Sequence, residues 1–72
     1  MFLGDVLNRI EKGKHQLKWV TKSGETVEIK EGVVTSLSSK FHRLNFKSLQ
    51  SGEIRKLYFV QIIEFDGNEV YI

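Results

Sequence analysis

The segment from residue 40 to residue 47 carries the side chains that best suit binding chemistry. Its sequence, KFHRLNFK, interleaves basic and amide side chains with the aromatic rings of Phe41 and Phe46. Basic groups contact phosphates, whereas aromatic and amide groups stack on bases or hydrogen-bond them. The candidate nucleic-acid-binding residues are therefore Lys40, His42, Arg43, Asn45 and Lys47. The alternative is a solvated strand face with Phe41 and Phe46 in the core.

A second basic cluster follows the predicted N-terminal helix and consists of Lys12, Lys14, His15 and Lys18. It offers sequence-independent, salt-sensitive contacts to phosphate or to another anionic partner. The alternative is a surface that promotes solubility and complements the helix dipole. Trp19 and Tyr58 also have two interpretations, as core or interface residues or as an exposed stacking platform.

No pattern in the chain indicates catalysis. The sequence has no cysteine, so thiolate metal sites and disulfides are excluded, and two histidines are too few for a zinc site. The serines belong to no nucleophile motif, and no phosphate-binding P-loop is present. Asp66 and Glu69 straddle a glycine and favour a turn rather than acid–base work. We therefore predict a non-enzymatic protein without a metal or another cofactor.

Three turns would position these residues: Ser23-Gly24, Ser51-Gly52 and Asp66-Gly67, each flanked by β-branched or aromatic residues. Such spacing predicts short antiparallel strands joined by tight turns. Residues 1–12 show helical spacing of apolar side chains, and Gly13 suits the end of a helix. The predicted fold is all-β: a five-stranded antiparallel small barrel, SH3-like or Sm-like, with one N-terminal helix. The chain forms a single domain, 1–72, with the barrel strands in 16–72.

Strand alternation predicts the core of this barrel. Gly32 interrupts a long strand pattern, which is typical of a bulge or a sharp bend. A later strand is predicted from Ile54 to Ile63. The predicted core consists of Val6, Ile10, Trp19, Val27, Ile29, Val33, Phe46, Leu57, Phe59 and Ile62.

Size and charge limit the partners. A chain of 72 residues buries only about 60% of the surface that its unfolded form exposes, so its stability alone is marginal. Without disulfides or metals, oligomerisation is the expected compensation. We predict a homo-oligomer formed by strand edges, either Tyr58 to Ile63 or Val70 to Ile72.

The net charge of +2 permits nucleic-acid binding without requiring it. The absence of cysteine, of a signal-peptide pattern and of a long apolar run predicts a cytoplasmic protein without membrane contact.

The order of a helix, bent strands and a terminal hairpin resembles the Sm and Sm-like (Lsm) family of small RNA-binding β-barrels. Residues 62–72, IIEFDGNEVYI, look like the second Sm motif, in which an apolar strand reaches an Ile-Arg-Gly turn. Lys22-Ser23-Gly24 resembles the Lys-x-Gly turn of the first motif, and Leu44-Asn45-Phe46 resembles its apolar-Asn-apolar strand. Asp66 stands where the family has an arginine that helps to grip the base.

This resemblance implies binding of single-stranded RNA, with Asn45 helping to hold a base. The predicted function is a non-enzymatic binding module that acts on single-stranded RNA as a homo-oligomer. The alternative is a protein–protein interaction or assembly subunit without a nucleic-acid role. A fold alone does not decide between them.

Overall fold

The computed structural model describes all 72 residues and confirms a mainly β protein with one N-terminal α-helix. In chain order the elements are α1 (Leu3–Arg9), β1 (His15–Val20), β2 (Thr26–Ser38), β3 (Arg43–Ser48), β4 (Ile54–Tyr58), a 3-10 helix (Phe59–Gln61), β5 (Ile62–Phe65) and β6 (Asn68–Glu69). The helix is shorter than the predicted span of 1–12. Neither helix is long and apolar enough to cross a membrane.

The strands form one antiparallel sheet in the order β4-β3-β2-β1-β5-β6. The predicted strand count of five is wrong, because a sixth strand of two residues follows the Asp66-Gly67 turn. Both turn residues have positive φ, 49° and 82°, as a two-residue type I′ hairpin requires. The sheet is not closed as a barrel, since β4 and β6 remain its two ends.

The predicted strand from Ile54 to Ile63 is also divided. β4 ends at Tyr58, whose backbone N–H donates to Oε1 of Gln61 at 2.7 Å. The Gln61 side chain thus satisfies the Tyr58 N–H, which in a continuing strand would bond a neighbouring strand. The 3-10 helix begins at the next residue. The chain then crosses the domain, so that β5 pairs with β1 rather than with β4.

β2 is the central strand, and it bends the sheet. Its thirteen residues pair with β1 along the first half and with β3 along the second. Register shifts accompany both pairings, one between Ile29 and Gly32 and one between Val34 and Ser36. The predicted irregularity at Gly32 is thereby confirmed. Such bulges increase the local twist and bend a strand, which folds the two halves of the sheet over one core.

Ten buried side chains form that core: Val6, Ile10, Leu17, Trp19, Leu44, Phe46, Leu57, Phe59, Ile62 and Phe65. Seven of the ten predicted core residues are among them, and Val27 and Ile29 pack against the cluster while partly exposed. The prediction for Val33 is wrong. The bulge beside Gly32 shifts the alternation, so that Val33 lies opposite Lys47 on the solvent face, and Val34 packs on the core instead.

Candidate nucleic-acid interface

Strand β3 places three of the predicted binding residues on one face. Leu44 and Phe46 are buried, so the residues that alternate with them point to the other side of the sheet. Arg43, Asn45 and Lys47 therefore share the solvent face of β3, and each is partly exposed. Phe46 is a core residue, as the alternative interpretation held for that ring.

The neighbouring strands extend this face in two rows. Asn45 lies between Ser36 of β2 and Lys56 of β4, and Arg43 lies between Ser38 and Tyr58. Directly opposed residues have Cβ atoms about 4.5–5.5 Å apart, so each row brings its side chains together. We call Arg43, Asn45, Lys47, Lys56 and Tyr58 the cationic face. Lys56 was not among the predicted binding residues, and Tyr58 was left open between core or interface packing and an exposed stacking platform. The strand register brings both residues beside β3.

A shallow polar recess lies in the middle of the cationic face. It is lined by Ser36, Ser38, Arg43, Leu44, Asn45 and Lys56. The Ser38 hydroxyl already accepts a hydrogen bond from the backbone N–H of Phe41, at 3.2 Å. The side chain of Asn45 has no hydrogen-bond partner within the chain, so its amide is free to meet a ligand.

Phe41 marks one end of the cationic face, and its ring is not in the core. It is 54% exposed. The Arg43 guanidinium lies 4.9 Å and the Lys40 ammonium 5.5 Å from the ring centroid. Both distances fall within the range of cation–π attraction, which holds the two basic groups beside the ring. Lys40 thus joins the cationic face through Phe41, although it lies outside the strand.

Tyr58 provides a second exposed ring, and it is 38% exposed. The Lys22 ammonium, from the turn between β1 and β2, lies 5.7 Å from the centre of this ring. The cationic face is therefore bordered by two aromatic rings, each beside a basic side chain. This pairing of stacking surfaces with positive charge is typical of single-strand binding surfaces. Trp19, by contrast, is buried, as its core interpretation predicts.

His42 is the one predicted binding residue that the structure does not bring to the cationic face. It occupies a turn with φ of 53°, and its backbone carbonyl accepts a hydrogen bond from the N–H of Phe59 at 2.8 Å. Its ring stacks parallel to that of Phe59 at 6.0 Å between centroids. The His42 side chain remains exposed, and its ring contacts Phe59 at the start of the 3-10 helix rather than the residues of the cationic face.

The charges of the molecule are distributed unevenly over the sheet. Every ion pair lies outside the cationic face, so Lys40, Arg43, Lys47 and Lys56 have no carboxylate partner. Carboxylates gather at the other end of the sheet, where Glu64 lies opposite Glu69 and Gln16 donates to both Glu28 and Glu64. A surface with one sign of unpaired charge attracts the opposite charge over a distance.

The second basic cluster is largely neutralised within the chain. Lys14 lies 3.8 Å from Glu31, and Lys18 lies 3.8 Å from Glu64. His15 contacts Asp66, with 2.8 Å between Nδ1 and Oδ2. Phosphate would have to compete with these carboxylates, so the cluster is a weaker candidate than the cationic face.

Asp66 holds a structural position. Besides contacting His15, its carboxylate accepts a hydrogen bond from the backbone N–H of Gln16 at 2.9 Å. The Gln16 side chain returns to accept one from the N–H of Gly67 at 3.0 Å. These contacts fix the β5–β6 hairpin to the start of β1, which explains an acidic residue at this turn. This role could not be predicted from the sequence, because Asp66 and its partner Gln16 lie some fifty positions apart along the chain.

Fold and site together define a small, mainly β domain with an antiparallel sheet that carries a cationic face. Comparison with protein-family models, with curated proteins and with solved structures finds no match for this chain. Its candidate function is therefore derived from its own side chains.

Proposed function

We propose that this protein binds single-stranded nucleic acid, RNA in particular, through the cationic face. One observation carries the proposal. Three basic side chains without carboxylate partners, Arg43, Lys47 and Lys56, share a sheet face with the unbonded amide of Asn45, and exposed aromatic rings border that face. In this role the basic groups contact phosphates, the rings of Phe41 and Tyr58 stack on bases, and Asn45 reads a base edge.

The Sm-like resemblance supports this proposal through the order of elements. A helix, bent strands and a short terminal hairpin are present, and β2 carries two bulges, which bend a strand, in a sheet that is not closed. Asn45 and Asp66 stand at the two positions that contact the base in the Sm motifs. In the proposal only Asn45 recognises a base, because the carboxylate of Asp66 bonds His15 and Gln16. A cytoplasmic location belongs to the same proposal.

The substitution Arg43→Glu tests the function. We expect it to weaken binding of every single-stranded RNA by about tenfold at low salt and to flatten the dependence of affinity on salt, because a phosphate contact is lost. Asn45→Ala should leave the salt dependence intact and reduce discrimination among bases. Fluorescence anisotropy with labelled homopolymer RNAs between about 50 and 200 mM salt measures both effects.

Lys14→Glu is the matched control, because it makes the same charge change at an exposed residue outside the cationic face. Equal losses from Lys14→Glu and Arg43→Glu would show that net charge, not this face, governs binding. If the unaltered protein binds neither RNA nor DNA single strands at about 50 mM salt, where electrostatic binding is strong, the proposal fails. The assembly role would then be the better interpretation.

The proposal includes a homo-oligomer that forms by pairing of strand edges. The structure limits the edges that are free to pair. The predicted edge at Val70 to Ile72 is engaged, since Tyr71 exchanges backbone hydrogen bonds with Met1 and Leu3. The other predicted edge, Tyr58 to Ile63, is not a free strand edge, because Phe59–Gln61 forms the 3-10 helix and β5 pairs with both β1 and β6. The open edge is β4, which exposes Ile54, at 54%, and Tyr58. An open strand edge is a template for pairing with a second copy.

Ile54→Lys should therefore shift the protein toward monomer, because an edge lysine opposes strand addition. Val60→Lys is the matched control, since Val60 is 67% exposed but lies outside the strand. Light scattering over a range of micromolar concentrations measures the change. A monomer at every concentration in the unaltered protein would contradict the prediction.

A further inference from the structure

We infer that the polar recess beside Asn45 binds a terminal phosphate monoester of a nucleic-acid strand. This inference deepens the proposed function and rests on it. Three adjacent strands supply the recess: Ser36 and Ser38 from β2, Arg43 and Asn45 from β3, and Lys56 from β4. Ser36, Asn45 and Lys56 stand in one row across the sheet, with Ser38 and Arg43 in the next.

The recess is rich in hydrogen-bond donors and contains no carboxylate. Arginine and lysine side chains donate only, whereas serine hydroxyls and the asparagine amide can both donate and accept. Neither Arg43 nor Lys56 has an ion-pair partner in the chain. A group that only accepts hydrogen bonds and carries negative charge is the natural ligand of such a surface. Phosphate fits this description, and arginine matches its geometry well.

The charge of the recess favours a terminal phosphate over an internal one. A phosphate monoester carries about −1.5 to −2 charges at neutral pH and three strong acceptor oxygens. An internal phosphodiester carries a single negative charge. The two basic groups, Arg43 and Lys56, match the monoester in charge, and the hydroxyls of Ser36 and Ser38 and the amide of Asn45 supply further donors for its three oxygens.

The aromatic rings indicate where the phosphate comes from. Tyr58 lies directly opposite Arg43, and the Phe41 ring lies 4.9 Å from the Arg43 guanidinium. Both rings are exposed and adjoin the recess, so a base attached to the bound phosphate would find a stacking surface. A phosphorylated peptide would gain nothing comparable from two flat rings. The end of a single strand is therefore the favoured source.

Binding of short single-stranded RNA with and without a terminal phosphate tests the inference. Anisotropy at about 150 mM salt, near physiological ionic strength, should show about tenfold tighter binding for the RNA phosphorylated at the preferred end. RNAs phosphorylated at the 5′ end and at the 3′ end are compared separately. In a second measurement, inorganic phosphate should shift the backbone amide NMR signals of Ser36, Asn45 and Lys56.

Two matched variants locate the effect. Lys56→Gln removes a charge that lines the recess, and it should abolish the preference for the phosphorylated end. Lys47→Gln removes a charge on the same face outside the recess, so it should weaken both RNAs by the same factor and keep the preference. Both side chains are on the solvent side of the sheet, so we expect both variants to fold.

The outcomes separate this inference from the proposed function. Equal binding of phosphorylated and unphosphorylated RNA would overturn the inference and leave the function intact. Phosphate-induced shifts at the recess without any RNA binding would overturn both the nucleic-acid function and the assignment to a strand end, and leave only a site for phosphate. Tighter binding of a phosphoserine peptide than of the phosphorylated RNA would overturn the assignment to a strand end.

Discussion

Replacing Gly32 by alanine is expected to lower the free energy of unfolding by about 2–3 kcal/mol, as overpacking of a closed core does. A Cβ atom at this position would lie 2.8 Å from the carbonyl oxygen of Lys47 and closer still to the ring of Phe46. Gly32 is buried and pairs with His15 on one side and with Ser48 on the other. Relief by backbone movement would therefore disturb both halves of the sheet.

Urea denaturation followed by tryptophan fluorescence measures this loss, since Trp19 is buried. Gly4→Ala is the matched control, because Gly4 lies in α1 with open space around it. Alanine favours a helix over glycine by up to about 1 kcal/mol, so this variant should be slightly more stable than the unaltered protein. If Gly32→Ala unfolds at the same urea concentration as the unaltered protein, the close packing of β2 on Phe46 is wrong.

A double variant separates the two contacts. Phe46→Leu removes the ring atoms nearest to Gly32 and leaves the Lys47 carbonyl in place. Gly32→Ala should then cost less in the Phe46→Leu background than alone, while retaining the part caused by the carbonyl. Such non-additivity is expected between residues in direct contact.

The local features of this fold were readable from the sequence, because they depend on near neighbours. The three turn glycines all adopt positive φ, 89° at Gly24, 76° at Gly52 and 82° at Gly67. The apolar stripe of the N-terminal segment forms α1, with Val6 and Ile10 buried as predicted. Arg43, Asn45 and Lys47 were predicted as binding residues from their types, and the structure places all three on one face of β3.

The predictions that were wrong concern the course of individual strands and the closure of the sheet, which the pattern of apolar residues alone does not determine. Gly32 indicated a bulge, but the sequence did not show that this bulge would shift the alternation and move Val33 to the solvent face. The side chain of Gln61 ends β4, although the surrounding apolar residues read as a continuous strand. Closure into a barrel likewise depends on which strand ends meet, and β4 and β6 stay apart as the two ends of the sheet.

The same distinction applies to the candidate site. Lys56 and Tyr58 join the cationic face only through the register of β3 with β4, and the sequence could not say which of Arg55 and Lys56 would take part. His42 adjoins the other binding candidates in the sequence, yet its positive φ turns it toward Phe59. Alternation of apolar and polar residues does not predict that the residue just before β3 has a positive φ.

Comparison of Phe59→Ala with Phe41→Ala tests which aromatic ring stabilises the fold and which ring binds RNA. Phe59 is only 8% exposed, its ring stacks on His42, and its N–H bonds to the His42 carbonyl. Truncating a buried phenylalanine costs about 3–5 kcal/mol. Domains of this size have a total stability of roughly the same order. We therefore expect Phe59→Ala to be largely unfolded at room temperature, with the flat near-ultraviolet circular dichroism spectrum of a protein without a packed core.

Phe41→Ala makes the same chemical change to a ring that is 54% exposed, so its stability should change by less than about 0.5 kcal/mol. Its affinity for RNA should nevertheless fall by about 1–3 kcal/mol, the usual contribution of a stacked base. Phe59→Ala should therefore lose stability and, with it, the folded binding surface, whereas Phe41→Ala should lose affinity while its stability stays nearly unchanged. A folded Phe59→Ala would contradict the assignment of the 3-10 helix to the core. A Phe41→Ala that binds RNA as tightly as the unaltered protein would remove the ring from the interface and leave Tyr58 as its stacking surface.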